Sequence, residues 1–186
     1  DWLEVLLGRV RRTDYEQVEA GIRLRLWSPR IDGHLYSLGI DPKGQGRALG
    51  YGKLLDWTAG VIVGEIRSEN PDPGALRSAC IRLCLERERG YETRYNPLVV
   101  PETNGVGQEF ARRMLEAGCR VFKRPKRPGE ADDHYRRQVF AGWTTSGGGG
   151  PNDTRALMLG WLQENLRAHR LSTPNAEDLH AWGAWD

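Results

Sequence analysis

The sequence predicts an α/β domain built on a mixed sheet of about five or more strands, the first three antiparallel and the others parallel, flanked by helices. Two observations predict this class. The first apolar segments are joined by short turns rich in glycine and polar residues, which is typical of an antiparallel meander. The later apolar segments are separated by stretches with helical spacing, which predicts parallel strands joined by crossovers. A chain of 186 residues is long enough to enclose one hydrophobic core.

The first third of the chain predicts an extension followed by two strands. Residues 1–12 have apolar side chains at helical spacing, and we expect a helical linker or extension over 1–20 and one domain over 21–186. Because the chain begins with Asp1, we expect it to be a piece of a larger protein. Residues 22–27 alternate and predict a half-exposed strand. Residues 35–41 predict the central strand, which ends at Asp41 because Pro42 cannot continue a central ladder.

The glycine-rich stretch 42–56 predicts a flexible hairpin connection. A phosphate-binding P-loop would need glycine at position 47 and Ser or Thr at position 54, which are Arg47 and Leu54. Residues 58–63 and 65–68 then predict the second and third strands of the meander.

From residue 71 onwards, helices and strands alternate. We predict a helix from 71–74 to about 89, a buried strand at 97–100, a helix over 108–117 that ends at Gly118, and a short strand over 119–123. The last helix begins at an N-cap residue, Asp153 or Thr154. Its apolar face consists of Leu157, Met158, Trp161, Leu162 and Leu166. We expect Trp143 and Trp161 in the core rather than as stacking platforms for bases.

Composition excludes some functional classes. The net charge is only +2, so any surface that binds nucleic acid must be local. The three cysteines, Cys80, Cys84 and Cys119, form no paired framework, which indicates a reducing compartment. Cys80 and Cys84 share one helix face, which indicates small core residues rather than a metal site. No apolar run has the length of a membrane span, and no signal peptide is visible.

Two predicted strands end in acids that are followed by turns, Asp41 and Glu102. If these strands are parallel neighbours, their carboxyl ends lie about 5 Å apart at one edge of the sheet. Two carboxylates that close repel each other unless a cation lies between them, and oxygen ligands suit Mg²⁺ or Mn²⁺. Simpler interpretations stay open: Asp41 begins a turn with Pro42 and Gly44, and Glu102 caps the helix that follows.

Four segments resemble the C-terminal nuclease domain of the large terminase subunit of tailed bacteriophages, an RNase H-like fold. They are Tyr36-Ser-Leu-Gly-Ile-Asp41-Pro, Asp56-Trp-Thr-Ala, Val99-Val-Pro-Glu102-Thr-Asn-Gly105, and Gly142-Trp-Thr-Thr ahead of the last helix. The resemblance covers about residues 20–186 and implies endonucleolytic cleavage of concatemeric double-stranded DNA with two Mg²⁺ or Mn²⁺ ions. It makes Asp41 and Glu102 the catalytic metal ligands.

The resemblance also implies a third carboxylate, in an acidic pair that opens a helix after one further strand. We expect that strand to end where the chain ends, so the third acid is missing or is replaced by Asp186, and the domain is truncated. The partners implied are double-stranded DNA, an upstream ATPase domain, a small terminase subunit and a portal. The location implied is the cytoplasm of the infected bacterial host.

Phosphate contacts in such an enzyme hold DNA without selecting its sequence. The candidates are Lys43, Arg47 and Lys53 in the first loop, Lys123, Arg124, Lys126 and Arg127 in a later loop, and Thr144 and Thr145 beside the glycine run. The alternative for each group is a solvated or flexible loop. His134 lacks a second histidine at helical spacing, so we expect it on the surface.

Two other functions remain open. The first is a nuclease of the same fold that resolves Holliday junctions, which would dimerise and prefer four-way junctions. The second is a DNA-binding or docking domain whose catalytic set is incomplete.

Overall fold

The structure is a computed structural model. It describes residues 15–19, 21–42, 50–85, 95–123, 131 and 154–175, with backbone alone for 15–19 and 154–159. The described strands are β1 (Tyr15–Glu19), β2 (Ile22–Leu26), β3 (Tyr36–Asp41), β4 (Gly50–Asp56), β5 (Val61–Ser68) and β6 (Leu98–Pro101). The described helices are α1 (Pro73–Leu85), α2 (Gly107–Glu116) and α3 (Thr154–Arg167).

These strands form one mixed sheet in the order β1-β2-β5-β4-β3-β6. The pairs β1–β2, β2–β5, β5–β4 and β4–β3 are antiparallel, whereas β6 is parallel to β3. A parallel bridge between Val99 and Val121 continues the sheet beyond β6, where we predicted a short strand. The mixed α/β class predicted from the sequence is therefore confirmed.

The predicted boundaries of the meander are wrong in the glycine-rich region. Residues 50–56 form strand β4 rather than a flexible connection, and Val61–Ser68 is one strand rather than two. Gly50 and Gly52 face the packed side of the sheet, where an added Cβ would lie 2.6 Å from Leu76 Cδ2 and 2.7 Å from Ile40 Cδ1. Gly64 on β5 similarly lets the neighbouring strand β2 approach closely. These glycines are strand residues that leave space for neighbouring atoms, and they do not form turns.

The sheet also begins earlier than predicted. Strand β1 lies within the segment that we assigned to a helical extension, and it pairs with β2 along its whole length. Residues 1–14 lie outside the described part of the chain. In α1 the last described helical residue is Leu85, and the predicted end near residue 89 also falls outside. The end of α2 agrees with the prediction, because Gly118 has a φ of +88°.

The hydrophobic core lies between one face of the sheet and helices α1 and α2. Leu38, Ile66 and Val99 on the strands are fully buried against side chains that include Cys80 and Met114 on the helices. Cys84 and Cys119 belong to the same core, and all three cysteines are free thiols. The interpretation of the cysteines as core residues is therefore confirmed.

The last helix contradicts one prediction. Leu166 is buried as expected, but the side chain of Trp161 is 47% exposed and contacts Trp57, which is 55% exposed. Leu157, Met158 and Trp143 lie outside the side chains that the structure describes. Among the helices described, none combines the length and apolar character needed to cross a bilayer.

Candidate metal centre

Asp41 and Glu102 occupy neighbouring positions at one edge of the sheet. The register of the parallel pair β3 and β6 aligns Ile40 with Pro101, so Asp41 and Glu102 follow next to each other. The backbone N–H of Glu102 donates a 2.8 Å hydrogen bond to the carbonyl oxygen of Ile40, which continues the pairing past the end of β6. Neighbouring strands lie about 4.8 Å apart, so the two acids are close together.

The two side chains also lie on the same face of the sheet. Leu38 and Val99 are register partners, and both are buried in the core under the helices. Side chains alternate along a strand, so the residues three positions further on, Asp41 and Glu102, belong to the opposite face. Asp41 is exposed and Glu102 is half-buried. The two acids therefore lie on one face of the sheet, at neighbouring strand ends.

After Glu102 the chain turns, and α2 begins in direct contact with the Glu102 backbone. Asn104 Nδ2 donates a 2.9 Å hydrogen bond to Glu102 Oε1, and Gly105 adopts a φ of +57° in the turn. A Cβ on Gly107 would lie 1.7 Å from the carbonyl oxygen of Glu102, so only glycine allows this contact. The N-cap residue of α2 is Val106, whose side chain makes no capping hydrogen bond. The motif Glu102-Thr-Asn-Gly-Val-Gly107 thus positions the acid.

The donor set fits a hard divalent cation. Two carboxylates on adjacent strands repel each other, and a cation between them removes that cost. Carboxylate oxygens with retained waters are the ligands that Mg²⁺ and Mn²⁺ prefer. Within the described residues, no group of three or more His, Cys, Asp or Glu side chains could hold a metal ion. The described part of this edge therefore offers two carboxylates as candidate ligands.

Most of the other predicted site residues lie outside the described chain. They are Lys43, Arg47, Arg124, Lys126, Arg127, Thr144, Thr145 and Asp186, together with His134. Lys123 is described and exposed, just after the bridge at Val121. Lys53 is not in a loop as predicted: it lies on β4, and its Nζ is 2.8 Å from Glu65 Oε2.

A charged cluster around Glu65 was not predicted from the sequence. This carboxylate is buried on β5 and contacts Lys53, Arg25, Arg67, Tyr51 and Asn175. One signal for it was present, since Glu65 interrupts the apolar run Val61-Ile-Val-Gly-Glu-Ile66. A charge in such a run indicates a buried, paired group, but it does not identify the partners.

Comparison with known proteins supports the fold. No family model and no curated protein matches the chain, whereas solved structures do. The crystal structure of the large terminase nuclease from thermophilic phage G20c with bound magnesium matches 94% of this chain and 72% of its own, at 16% identity and a TM-score of 0.55. The zinc-bound form of that nuclease matches 97% and 87%, at 14% identity and a TM-score of 0.57.

A third match is the large terminase nuclease domain of Thermus phage P74-26, with 15% identity, a TM-score of 0.56 and coverage of 94% and 70%. The chain has the fold of a large terminase nuclease domain. The resemblance inferred from four short segments is thus confirmed at the level of the fold. At this identity the likeness concerns the backbone, and the roles of individual residues follow from their own chemistry.

Proposed function

We propose that this chain is the divalent-metal-dependent endonuclease domain of a phage DNA-packaging terminase, which cuts concatemeric double-stranded DNA. The observation that carries the proposal is the pair Asp41 and Glu102, on one face and at one edge of two parallel strands. The solved structures with a similar fold include the large terminase nuclease from phage G20c with bound magnesium, zinc and cobalt. Mg²⁺ or Mn²⁺ is the cofactor that we expect from the oxygen donors.

In this proposal the two carboxylates act as fixed metal ligands. Asp41 and Glu102 would hold the ions, and two ions bound there would supply a more acidic water and stabilisation of the leaving oxygen for phosphodiester hydrolysis. Asp41 presents its carboxylate from the end of a central strand, and the bond from Asn104 orients that of Glu102. We assign no general base to a protein side chain.

The order of elements points to Asp153 as the third carboxylate. The resemblance implies that this acid opens a helix after one further strand, and the chain segment that follows β6 in the sheet contains Val121. The next described helix is α3, which begins at Thr154, directly after Asp153 in the sequence. Asn152 stands where the acidic pair would have its other member. Asp153 and Asp186 both lie outside the described residues, and we propose Asp153 in place of Asp186.

Nicking of supercoiled plasmid with Mn²⁺ tests this function. We expect Asp41→Asn, Glu102→Gln and Asp153→Asn each to reduce the rate by at least about 100-fold, because loss of a ligand removes several kcal/mol of charge stabilisation. Asp186→Asn serves as the matched control and should nick at nearly the wild-type rate. A loss of nicking rate in Asp186→Asn, with none in Asp153→Asn, would instead assign Asp186 as the third carboxylate.

A second readout does not depend on activity. A metal that binds only the folded state stabilises it by about 2.7 kcal/mol at 100 times its Kd. We therefore expect Mn²⁺ to raise the Tm of the wild type and to leave that of Asp41→Asn unchanged.

The same assays separate the alternatives. A Holliday-junction resolvase would prefer four-way junctions to linear duplex, and a binding or docking domain would retard DNA but nick it under no condition. The ATPase domain, small subunit and portal remain proposed partners, and the host cytoplasm the proposed location.

A further inference from the structure

The face of the sheet that carries Asp41 also carries a row of polar side chains in register across four strands. Asp41 on β3 pairs with Tyr51 on β4, Tyr51 pairs with Arg67 on β5, and Arg67 pairs with Arg23 on β2. Because each strand adds about 4.8 Å, the Cα atoms of Tyr51, Arg67 and Arg23 lie roughly 5, 10 and 15 Å from that of Asp41. The row thus leads directly away from the proposed metal centre.

A second row on the same face lies two residues further along each strand. It consists of Lys53 on β4, Glu65 on β5 and Arg25 on β2, again in direct register. Lys53, Arg25 and Arg67 carry three positive charges against the single negative charge of Glu65, so these four side chains have a net charge of +2. The two rows together form a local basic surface in a chain whose total charge is only +2.

Contacts with Glu65 hold these cations at fixed positions. Its side chain is 1% exposed, and its oxygens lie 2.8 Å from Lys53 Nζ, 3.3 Å from Arg67 Nε and 3.6 Å from Arg25 Nη1. The Tyr51 hydroxyl donates a 3.1 Å hydrogen bond to the same carboxylate. The cations themselves keep between 19% and 29% of their side chains exposed, so they remain accessible to a ligand.

Aromatic rings further restrict the same cations. Lys53 Nζ lies 5.2 Å from the centroid of the Tyr51 ring and 5.5 Å from that of Trp27, and Arg67 Cζ lies 5.5 Å from the Tyr51 ring. Cation–π contacts of this kind draw a side chain onto the surface instead of letting it extend into solvent. A surface with pre-positioned cations loses little conformational entropy when an anion binds.

We propose that Tyr51, Lys53, Arg67 and Arg23 form the surface on which the backbone phosphates of DNA lie beside the Asp41–Glu102 edge. The two carboxylates repel phosphate, so DNA can approach them only where nearby cations offset that repulsion. The row starts one strand away from Asp41 and continues across the sheet, which matches a polyanion rather than a single small phosphate. This surface rests on the proposed nuclease function, but DNA binding to it can be measured without cleavage.

The test is the affinity of a short fluorescein-labelled duplex, measured by anisotropy in EDTA over about 50 to 200 mM salt. Each phosphate contact contributes about 0.9 to the slope of log K against log salt. We expect Arg67→Gln and Arg23→Gln each to weaken binding about three- to tenfold and to make that negative slope smaller in magnitude by about 0.9, and the double variant to show both losses. Arg77→Gln on α1, across the sheet from this surface, changes the charge equally and should alter the affinity less than twofold.

The outcomes test the DNA-binding surface and the nuclease function separately. If the folded double variant binds with the Kd and salt slope of Arg77→Gln, the surface is not the DNA site. Arg23 is exposed at the end of the row, so Arg23→Gln decides the question if Arg67→Gln does not fold. If binding depends on the row but wild type nicks no DNA, the binding surface stands and the nuclease assignment fails.

Discussion

Two aspartates at opposite ends of the β3–β4 hairpin have opposite environments. Asp41 ends β3 and pairs in register with Tyr51, whereas Asp56 ends β4 and pairs with Tyr36. Asp56 is 2% exposed, and Asp41 is exposed. The same residue type thus occurs once inside the structure and once at its surface, on the same two strands.

Asp56 has the environment of a structural carboxylate. Its Oδ1 accepts hydrogen bonds from the backbone N–H groups of Thr58 and Ala59 at 2.9 and 3.0 Å, and its Oδ2 lies 2.7 Å from His34 Nδ1. These bonds close the turn between β4 and β5, and Thr58 Oγ1 in turn accepts from the N–H of Leu35. They give the segment Asp56-Trp-Thr-Ala a folding role.

Asp41 is exposed at the end of β3, and Glu102 follows at the neighbouring strand end on the same face of the sheet. Like charges on neighbouring strands repel each other, and a bound cation would offset that repulsion. A buried carboxylate that accepts several hydrogen bonds supports the fold, whereas neighbouring carboxylates near the surface of rigid strands are suited to a ligand. The comparison predicts that mutations at the two ends will divide cleanly between stability and activity.

The largest effect on stability is expected at Asp56. Asp56→Ala leaves two backbone N–H groups and His34 without this buried acceptor, and we expect it to lower the free energy of unfolding by about 3 kcal/mol. Urea unfolding followed by circular dichroism measures this. Asp41→Ala is the matched control on the same hairpin. A loss below about 1 kcal/mol in Asp56→Ala would contradict the structural role.

The second largest effect on stability is expected at Glu65. Glu65→Gln leaves three partly exposed cations without their common partner, and we expect a loss of about 2 kcal/mol at neutral pH. Glu109→Gln on α2 is the control, because Glu109 makes ion pairs with Arg112 and Arg113 whose side chains are about half exposed to solvent. A Tm of Glu65→Gln equal to that of the control would show that the buried cluster does not stabilise the fold.

The pH dependence of stability distinguishes wild type from this variant. Burial raises the pKa of Glu65, but the hydrogen bond and charge of Lys53, the charge of Arg67 and the bond from Tyr51 outweigh it, so the pKa lies below its ordinary value of 4.5. A depressed folded-state pKa contributes stability that is present above the unfolded value and lost as the pH falls through the folded value. Wild type should therefore lose stability below about pH 4.5.

Glu65→Gln lacks this titration, so its stability should change less with pH over the same range. Urea midpoints measured from pH 6 down to about pH 3 test this, and parallel curves for the two proteins would contradict it.

A smaller effect is expected at Gly107, where the fold supports the acidic edge. An added methyl group overlaps the carbonyl oxygen of Glu102, so Gly107→Ala must shift α2 or the end of β6. We expect a loss of about 1–2 kcal/mol in stability and a weaker rise of Tm with Mn²⁺. Gly118→Ala is a useful contrast, since that site has open space but a positive φ, and it should cost stability without affecting the metal.

The sequence predicts the parts of the fold that depend on local patterns. Pro42 marks the end of β3, and Gly118 the end of α2, because each restricts its own backbone. The parallel pairing of β3 and β6 follows from the helix between them, and the placement of Asp41 beside Glu102 follows from that pairing.

The failures come from non-local contacts. Gly50 and Gly52 look like a flexible loop, yet they are strand residues that make room for Leu76 and Ile40. The partners of Glu65 come from β2, β4, β5 and the segment after α3, so no spacing reveals them. Likewise, helical spacing places Trp161 on an apolar stripe without showing whether another element covers it.

The smallest effect should be seen at Asp41 itself in the absence of metal. Like charges directly opposite each other on neighbouring strands destabilise by roughly 0.2–1 kcal/mol, so Asp41→Asn should raise the free energy of unfolding in EDTA by about 0.5 kcal/mol. Glu102→Gln should do the same, and the double variant should gain no more than either, because one substitution already removes the repulsion. This non-additivity, measured by urea unfolding in a double-mutant cycle, tests the closeness of the two carboxylates directly. Independent, additive effects would show that the two side chains do not share a site, and a two-acid metal centre would then be untenable.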